Sequence, residues 1–197
     1  TMSMTSTANV TTHGHTMTFD EYLAFEEKSA ARHELVDGDL HVQAGASQTH
    51  NVIAGNIFAL LWNAVGDEPC RVFQNDMRLR IHERTAYYPD VMVTCDPDDR
   101  NEQFVSNPCL IVEVLSPSTA AIDRREKLLA YRHLSALQAY VIVHQDEPRV
   151  VRHWRDDHGA WWWTEIMGLT NEEQVRFPCP LVDVSLARIY QGTEGVR

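Results

Sequence analysis

Two carboxylates and one ammonium stand out by their surroundings. Asp90 closes the turn Tyr88-Pro89-Asp90, Glu113 ends the apolar run Leu110-Ile111-Val112, and Lys127 follows on what reads as the next helix. Acids at strand ends with a nearby lysine are the minimum equipment for holding a divalent metal and cleaving a phosphodiester. Asp90 alone would be a turn acid after a proline; its partner gives it meaning. Glu113 is the stronger signal, because it interrupts Leu110-Ile111-Val112-Glu113-Val114-Leu115. A buried, unpaired carboxylate there would cost on the order of several kcal/mol. Strand alternation turns Val112 and Val114 to the opposite face.

Lys127 lies four residues before Tyr131, so the two share a helix face. An ammonium there can orient an attacking water and stabilise charge on the transferring phosphate. Asp123 fits a helix N-cap better than a ligand. Glu34 precedes a hairpin turn and His50 starts a helix, and spacing leaves the role of each open. His13 and His15 form an H-x-H near the N-terminus and are discounted as a metal site.

The elements that must position these groups follow from patterning. Thr18 and Glu21 form a capping box for a short helix carrying Tyr22 and Phe25. Asp37-Gly38 separates Glu34-Leu35-Val36 from Asp39-Leu40-His41-Val42 as a tight hairpin. A helix is predicted over 50–65, with Ile53, Ile57, Leu60 and Leu61 on one face and Gly66 as its stop. Strands are predicted over 71–81, 88–94 and 109–115, then a capped helix from Asp123 to about Leu134. Further strands follow over 139–144 and 150–154 and at Trp161-Trp162-Trp163. This order predicts one α/β domain with a mixed sheet. Residues 1–17 carry no charged side chain and are expected to be a mobile lead-in, with the domain spanning 18–197. The Thr1 start is read as a cloning remnant.

Composition bounds the partners. The net charge of −11 argues against broad attraction to nucleic acid, although a bound cation can supply positive charge locally. Arg78, Arg80, Arg124, Arg125 and Arg132 could form a phosphate track, or a solvated face balanced by acids. The three tryptophans are expected to pack a core or an interface rather than stack bases. No apolar run approaches the roughly 20 residues of a membrane helix. Nothing at the start has the basic-then-apolar order of an export signal, so a cytoplasmic location is expected. Cys70, Cys95, Cys109 and Cys179 lack zinc-site spacing and are expected to be buried free thiols rather than disulfides.

Tyr88-Pro89-Asp90-Val91, the string Glu113-Val114-Leu115-Ser116-Pro117-Ser118-Thr119 and the spaced Asp123, Lys127 and Tyr131 resemble the Uma-two family of putative restriction endonucleases, within the PD-(D/E)XK nuclease-like superfamily. The likeness extends to Glu34-Leu35-Val36-Asp37-Gly38 and His50 upstream, and to Ala139-Tyr140-Val141-Ile142-Val143 downstream. It implies a restriction-endonuclease-like mixed sheet flanked by helices, with the N-terminal hairpin and extra C-terminal strands. It further implies Mg²⁺, with Mn²⁺ as a substitute, held by Asp90 and Glu113, and a nucleic-acid substrate, DNA being favoured. Glu34, His50, Asp123 and Tyr131 would support Asp90, Glu113 and Lys127. The superfamily's lysine two residues after the acid is replaced by Leu115, and the resemblance implies that it has moved to Lys127. By analogy, cutting two strands would call for a homodimer. The rival expectations are a catalytically idle binding or regulatory protein on the same fold, and a small-nucleotide phosphodiesterase.

Overall fold

A computed structural model describes residues 16–43, 45–115, 123–170, 172–193 and 196, with the side chains of Asp123 and Arg124 left aside. Most of the expected lead-in, His13 and His15 included, and Ser116-Pro117-Ser118-Thr119 fall outside the described residues. In chain order the elements are α1 (Phe19–Glu26), β1 (His33–Val36), β2 (Asp39–Val42), α2 (Gln48–Val65), β3 (Arg71–Gln74), β4 (Arg78–His82), β5 (Thr85–Tyr87), β6 (Val91–Thr94), β7 (Phe104–Val105) and β8 (Leu110–Leu115). Then come α3 (Asp123–Arg132), β9 (Ala139–His144), β10 (Arg149–Arg155), β11 (Trp161–Met167), β12 (Gln174–Pro178), β13 (Leu181–Ser185) and α4 (Leu186–Ile189). They form two compact units. One holds the described residues through Gly45 with Arg80–Tyr87; the other holds those of Ala46–Leu79 and Tyr88–Arg197.

In the first unit, Thr18 and Glu21 close the expected capping box: the Thr18 amide donates to Glu21 Oε2 at 2.8 Å and the Glu21 amide to Thr18 Oγ1 at 3.4 Å. Phe19 and Tyr22 are fully buried, and the Tyr22 hydroxyl donates to the His33 carbonyl at 2.7 Å. The hairpin of β1 and β2 turns at Asp37 (φ 51°) and Gly38 (φ 94°), both in the left-handed region that two-residue hairpins demand. β1 also pairs antiparallel with β5 through Leu35 and Ala86.

The second unit is built on a six-stranded sheet in the order β11-β10-β9-β8-β6-β3. β8 and β9 run parallel, joined across the segment that contains α3, and the other neighbours are antiparallel. This is the mixed sheet expected. α2 buries Ile53, Ile57 and Leu61 in one core with Val91, Val93, Val112, Val114, Val141 and Val143. The β12–β13 hairpin and α4 complete that core with Val175, Phe177, Val184, Leu186 and Ile189.

Several expectations are corrected. The strand predicted over 71–81 is two strands, because Asn75 takes a left-handed conformation (φ 53°) and breaks the ladder between β3 and β4. The strand predicted over 88–94 starts at Val91, beyond Pro89, which has no N–H for a ladder. α2 begins two residues before His50, where Ser47 Oγ caps it by accepting from the His50 amide at 3.1 Å. Of the core or interface expected for the tryptophans, the core is excluded for Trp162 and Trp163, which lie 55% and 64% exposed on the edge strand β11. Trp161 carries the guanidinium groups of Arg132 and Arg155 over its ring, at 5.7 and 5.0 Å. The cysteines are not free thiols but form two disulfides, Cys70–Cys95 and Cys109–Cys179. Their long sequence separations hide the pairing; the register Arg71↔Thr94 sets Cys70 and Cys95 side by side on adjacent strand ends.

Candidate active site

β6 and β8 build the site between them. Val91 pairs with Val112, so Asp90 and Glu113 continue the antiparallel ladder one step beyond, side by side at one end of the sheet. Both acids are buried, at 9% and 5% exposure. The Val114 amide donates to Asp90 Oδ2 at 2.7 Å, fixing the Asp90 side chain across the strand gap. His50, in the first turn of α2, brings Nε2 to 3.2 Å from the same oxygen. Burial acts to lower the His50 pKa, but the hydrogen bond with Asp90, the charges of Asp90 and Glu113 and a backbone hydrogen bond at Val114 outweigh it, holding the imidazole above 6.5.

Glu113 is met from the other side. Val112 and Val114 join the core that α2 covers, while Glu113 alternates to the side of α3. There the Tyr131 hydroxyl donates to Glu113 Oε1 at 2.7 Å and Lys127 Nζ stands 3.3 Å from that oxygen. The helical spacing of Lys127 and Tyr131 lets both reach one carboxylate. Tyr131 is fully buried and meets Tyr140 edge-on, with ring centroids 5.0 Å apart. The Lys127 side chain is 12% exposed, so its ammonium is largely withdrawn from solvent beside the acid.

Asp90, Glu113, Lys127, Tyr131 and His50 therefore converge. Asp123 is the first residue of α3 and its side chain lies outside the described set; Glu34 lies in β1 of the first unit, opposite His41. The Val114 amide is a part of the site that no side-chain pattern could announce, since it follows from register alone. The donor set fits a hard divalent cation: two carboxylates on adjacent strand ends, with both hydrogen bonds that the described residues make to the Asp90 carboxylate landing on Oδ2, so that Oδ1 can coordinate.

Beside this site, on the α3 side, a cleft of about 390 Å³ is lined by Arg125, Arg149, His153 and Trp163 with Glu165. Arg149 is tied to Glu165 at 2.7 Å and to Glu147 at 3.1 Å. Burial, seconded by the charge of Arg132, lowers the His153 pKa. Of the other arginines of the expected track, Arg78 lies 5.6 Å over the Tyr88 ring and Arg80 lies 4.8 Å over Phe19 and pairs with Glu83.

A mixed sheet with buried acids at the ends of two central strands and a lysine on the following helix defines a restriction-endonuclease-like fold. A solved structure from Anabaena variabilis, described as "a putative nuclease belonging to DUF820", superposes with a TM-score of 0.71 at 17% identity, covering 88% of this chain and 97% of that one. The chain belongs to the Uma2 family, described as "Putative restriction endonuclease", whose model matches residues 19–187. Two uncharacterized proteins of Synechocystis sp. are similar to it. One, slr1290, is 39% identical over 144 residues (72% of this chain, 76% of the relative); the other, sll1609, is 38% identical over 165 residues (82% and 93%). Among the described residues no helix is long and apolar enough to cross a membrane.

Proposed function

We propose that this protein is a metal-dependent endonuclease that hydrolyses phosphodiester bonds of nucleic acid, with DNA as the substrate and Mg²⁺, or Mn²⁺ in its place, held by Asp90 and Glu113. The observation that carries this reading is the convergence of a buried Asp90, a buried Glu113 and Lys127 at one sheet end. Family membership and the fold of the Anabaena variabilis structure support nuclease chemistry in general terms.

A bound divalent ion would lower the pKa of a coordinated water and neutralise charge on the scissile phosphate. The chain's own groups do the positioning. The Val114 amide and His50 hold Asp90, and Tyr131 holds Glu113, so both carboxylates are oriented before a cation arrives. The Lys127 ammonium, 3.3 Å from Glu113, is set to exchange that contact for the attacking water or a phosphate oxygen and to stabilise the charge that develops there. His50 stands in the first turn of α2 with Nε2 3.2 Å from Asp90 Oδ2, where its ring can hold that carboxylate in place beside a phosphate group. Arg125 and Trp163 at the neighbouring cleft suit a strand's phosphates and bases. A second copy of the chain would supply the second site for cutting both strands.

The test is incubation with supercoiled plasmid, single-stranded DNA, RNA and a model phosphodiester, with Mg²⁺, Mn²⁺ or chelator. Metal-dependent cleavage of DNA, abolished by Glu113→Ala, supports the reading. Cleavage of the model diester with polymers spared would make it a small-nucleotide phosphodiesterase. Inactivity on every substrate, with divalent-metal binding unchanged in Glu113→Ala, would leave an idle nuclease fold whose Lys127–Glu113 pair is a structural ion pair.

A further inference from the structure

The four cysteines gather at the opposite end of the strands that carry the acids. Cys70 immediately precedes β3, Cys95 follows β6, Cys109 precedes β8 and Cys179 lies in the turn between β12 and β13. The two disulfides are in contact: Cys95 Sγ is 3.2 Å from Cys179 Sγ and 3.7 Å from Cys109 Sγ. The sulfurs of Cys70, Cys95 and Cys179 all lie within 4.8 Å of one another. Four sulfurs converging from separate strand ends make a ligand set.

We propose that, in the reduced chain, these four sulfurs hold one Zn²⁺ as a closed tetrathiolate site. A tetrahedral centre with Zn–S bonds of about 2.3 Å sets its sulfurs about 3.8 Å apart, close to the Cys95–Cys109 and Cys95–Cys179 separations of 3.7 and 3.2 Å, while Cys109 lies outside the 4.8 Å group of the other three and would swing in toward Cys70. Once the S–S bond of each pair is cleaved, rotation about Cα–Cβ would carry its two sulfurs apart toward that distance. Reduction of each disulfide takes two electrons and two protons from a dithiol, which is itself oxidised to a disulfide, and yields two thiols. Zinc then displaces the four thiol protons as the thiolates bind. Cys109 and Cys179 are buried and Cys70 and Cys95 half-buried, so the cation has an entry side and a shielded side.

The site is separate from the carboxylates. Asp90 precedes β6 and Cys95 follows it, and Cys109 precedes β8 while Glu113 lies near its end, so the two centres are roughly a strand length, about 13–17 Å, apart. Their chemistries sort the metals: sulfur takes zinc, and carboxylate oxygen takes magnesium or manganese. With four protein ligands the zinc has no open position and would clamp β3, β6 and β8 to the β12–β13 hairpin. The inference stands without the nuclease reading.

The experiment uses the full chain, purified with a non-thiol reductant and Zn²⁺, desalted, and assayed for metal by mass spectrometry and for thiols by reaction with a chromogenic disulfide. One zinc per chain is expected in the wild type and in Asp90→Asn/Glu113→Gln, and none in Cys95→Ser/Cys179→Ser. Co²⁺ in place of zinc should give sulfur-to-cobalt charge-transfer bands with tetrahedral ligand-field bands. Should the serine variant not fold, peroxide oxidation of the wild type replaces it: one zinc should be released as four thiols are lost. A folded, reduced wild type without zinc, zinc that disappears with Asp90→Asn/Glu113→Gln, or zinc retained after all four thiols are lost would each overturn the proposal.

Discussion

Tyr131 donates its hydroxyl to Glu113 Oε1 at 2.7 Å from within a fully buried position on α3. A carboxylate inside an apolar strand is tolerated because a neighbouring helix is built to receive it. Tyr131→Phe keeps the ring against Tyr140 and deletes the donor alone. Its expected cost is about 1–3 kcal/mol of stability, read as a lower urea midpoint with an unchanged slope. An unchanged midpoint would mean that the hydroxyl does not anchor Glu113.

Lys127 approaches the same oxygen but is assigned to turnover. Lys127→Ala should bind Mn²⁺ as the wild type does in calorimetry and lose roughly 10²- to 10³-fold in kcat, the scale for removing one charge-stabilising group. A parallel loss of metal affinity would make Lys127 a structural partner of Glu113.

Two histidines should titrate in opposite directions in the metal-free protein. His50 has its pKa raised, so its contribution to stability is fully present below 6.5 and is lost as pH rises through the folded-state value. His153 has its pKa lowered by burial, so its contribution is present above 6.5 and lost as pH falls through the folded-state value. Imidazole NMR titrations should give midpoints on either side of 6.5. Asp90→Asn should lower the His50 midpoint, because burial remains when the charged, hydrogen-bonded partner is gone. A His50 midpoint unmoved by that substitution would break its link to Asp90.

Gly38 sits at φ 94°, and a Cβ there would meet the Thr16 Cβ at 2.8 Å. Gly38→Ala should destabilise the chain by roughly 1–3 kcal/mol, from backbone strain added to the clash. A melting temperature equal to that of the wild type would show that the hairpin turn relaxes freely.

Much of the site was legible because burial is written into sequence pattern. Glu113 announced itself by interrupting an apolar strand, and Lys127 and Tyr131 by a four-residue helical spacing. His50 was not decidable: its meeting with Asp90 depends on how α2 crosses the sheet, and no local pattern encodes a crossing. The continuous apolar phase of Met77, Leu79 and Ile81 hid the break at Asn75, since a left-handed residue can interrupt a ladder without disturbing hydrophobic alternation. Cysteine spacing missed the sulfur cluster for a related reason. Its members come from separate strand ends, and motif spacing sees ligands that share one loop.

If Asp90 and Glu113 hold a divalent cation, anomalous diffraction from a crystal soaked in Mn²⁺ will reveal it. Anomalous density within coordination distance of both carboxylates is predicted, with Lys127 Nζ displaced from Glu113 Oε1. A fully soaked crystal with no density between them, and Lys127 still paired to Glu113, would contradict the account.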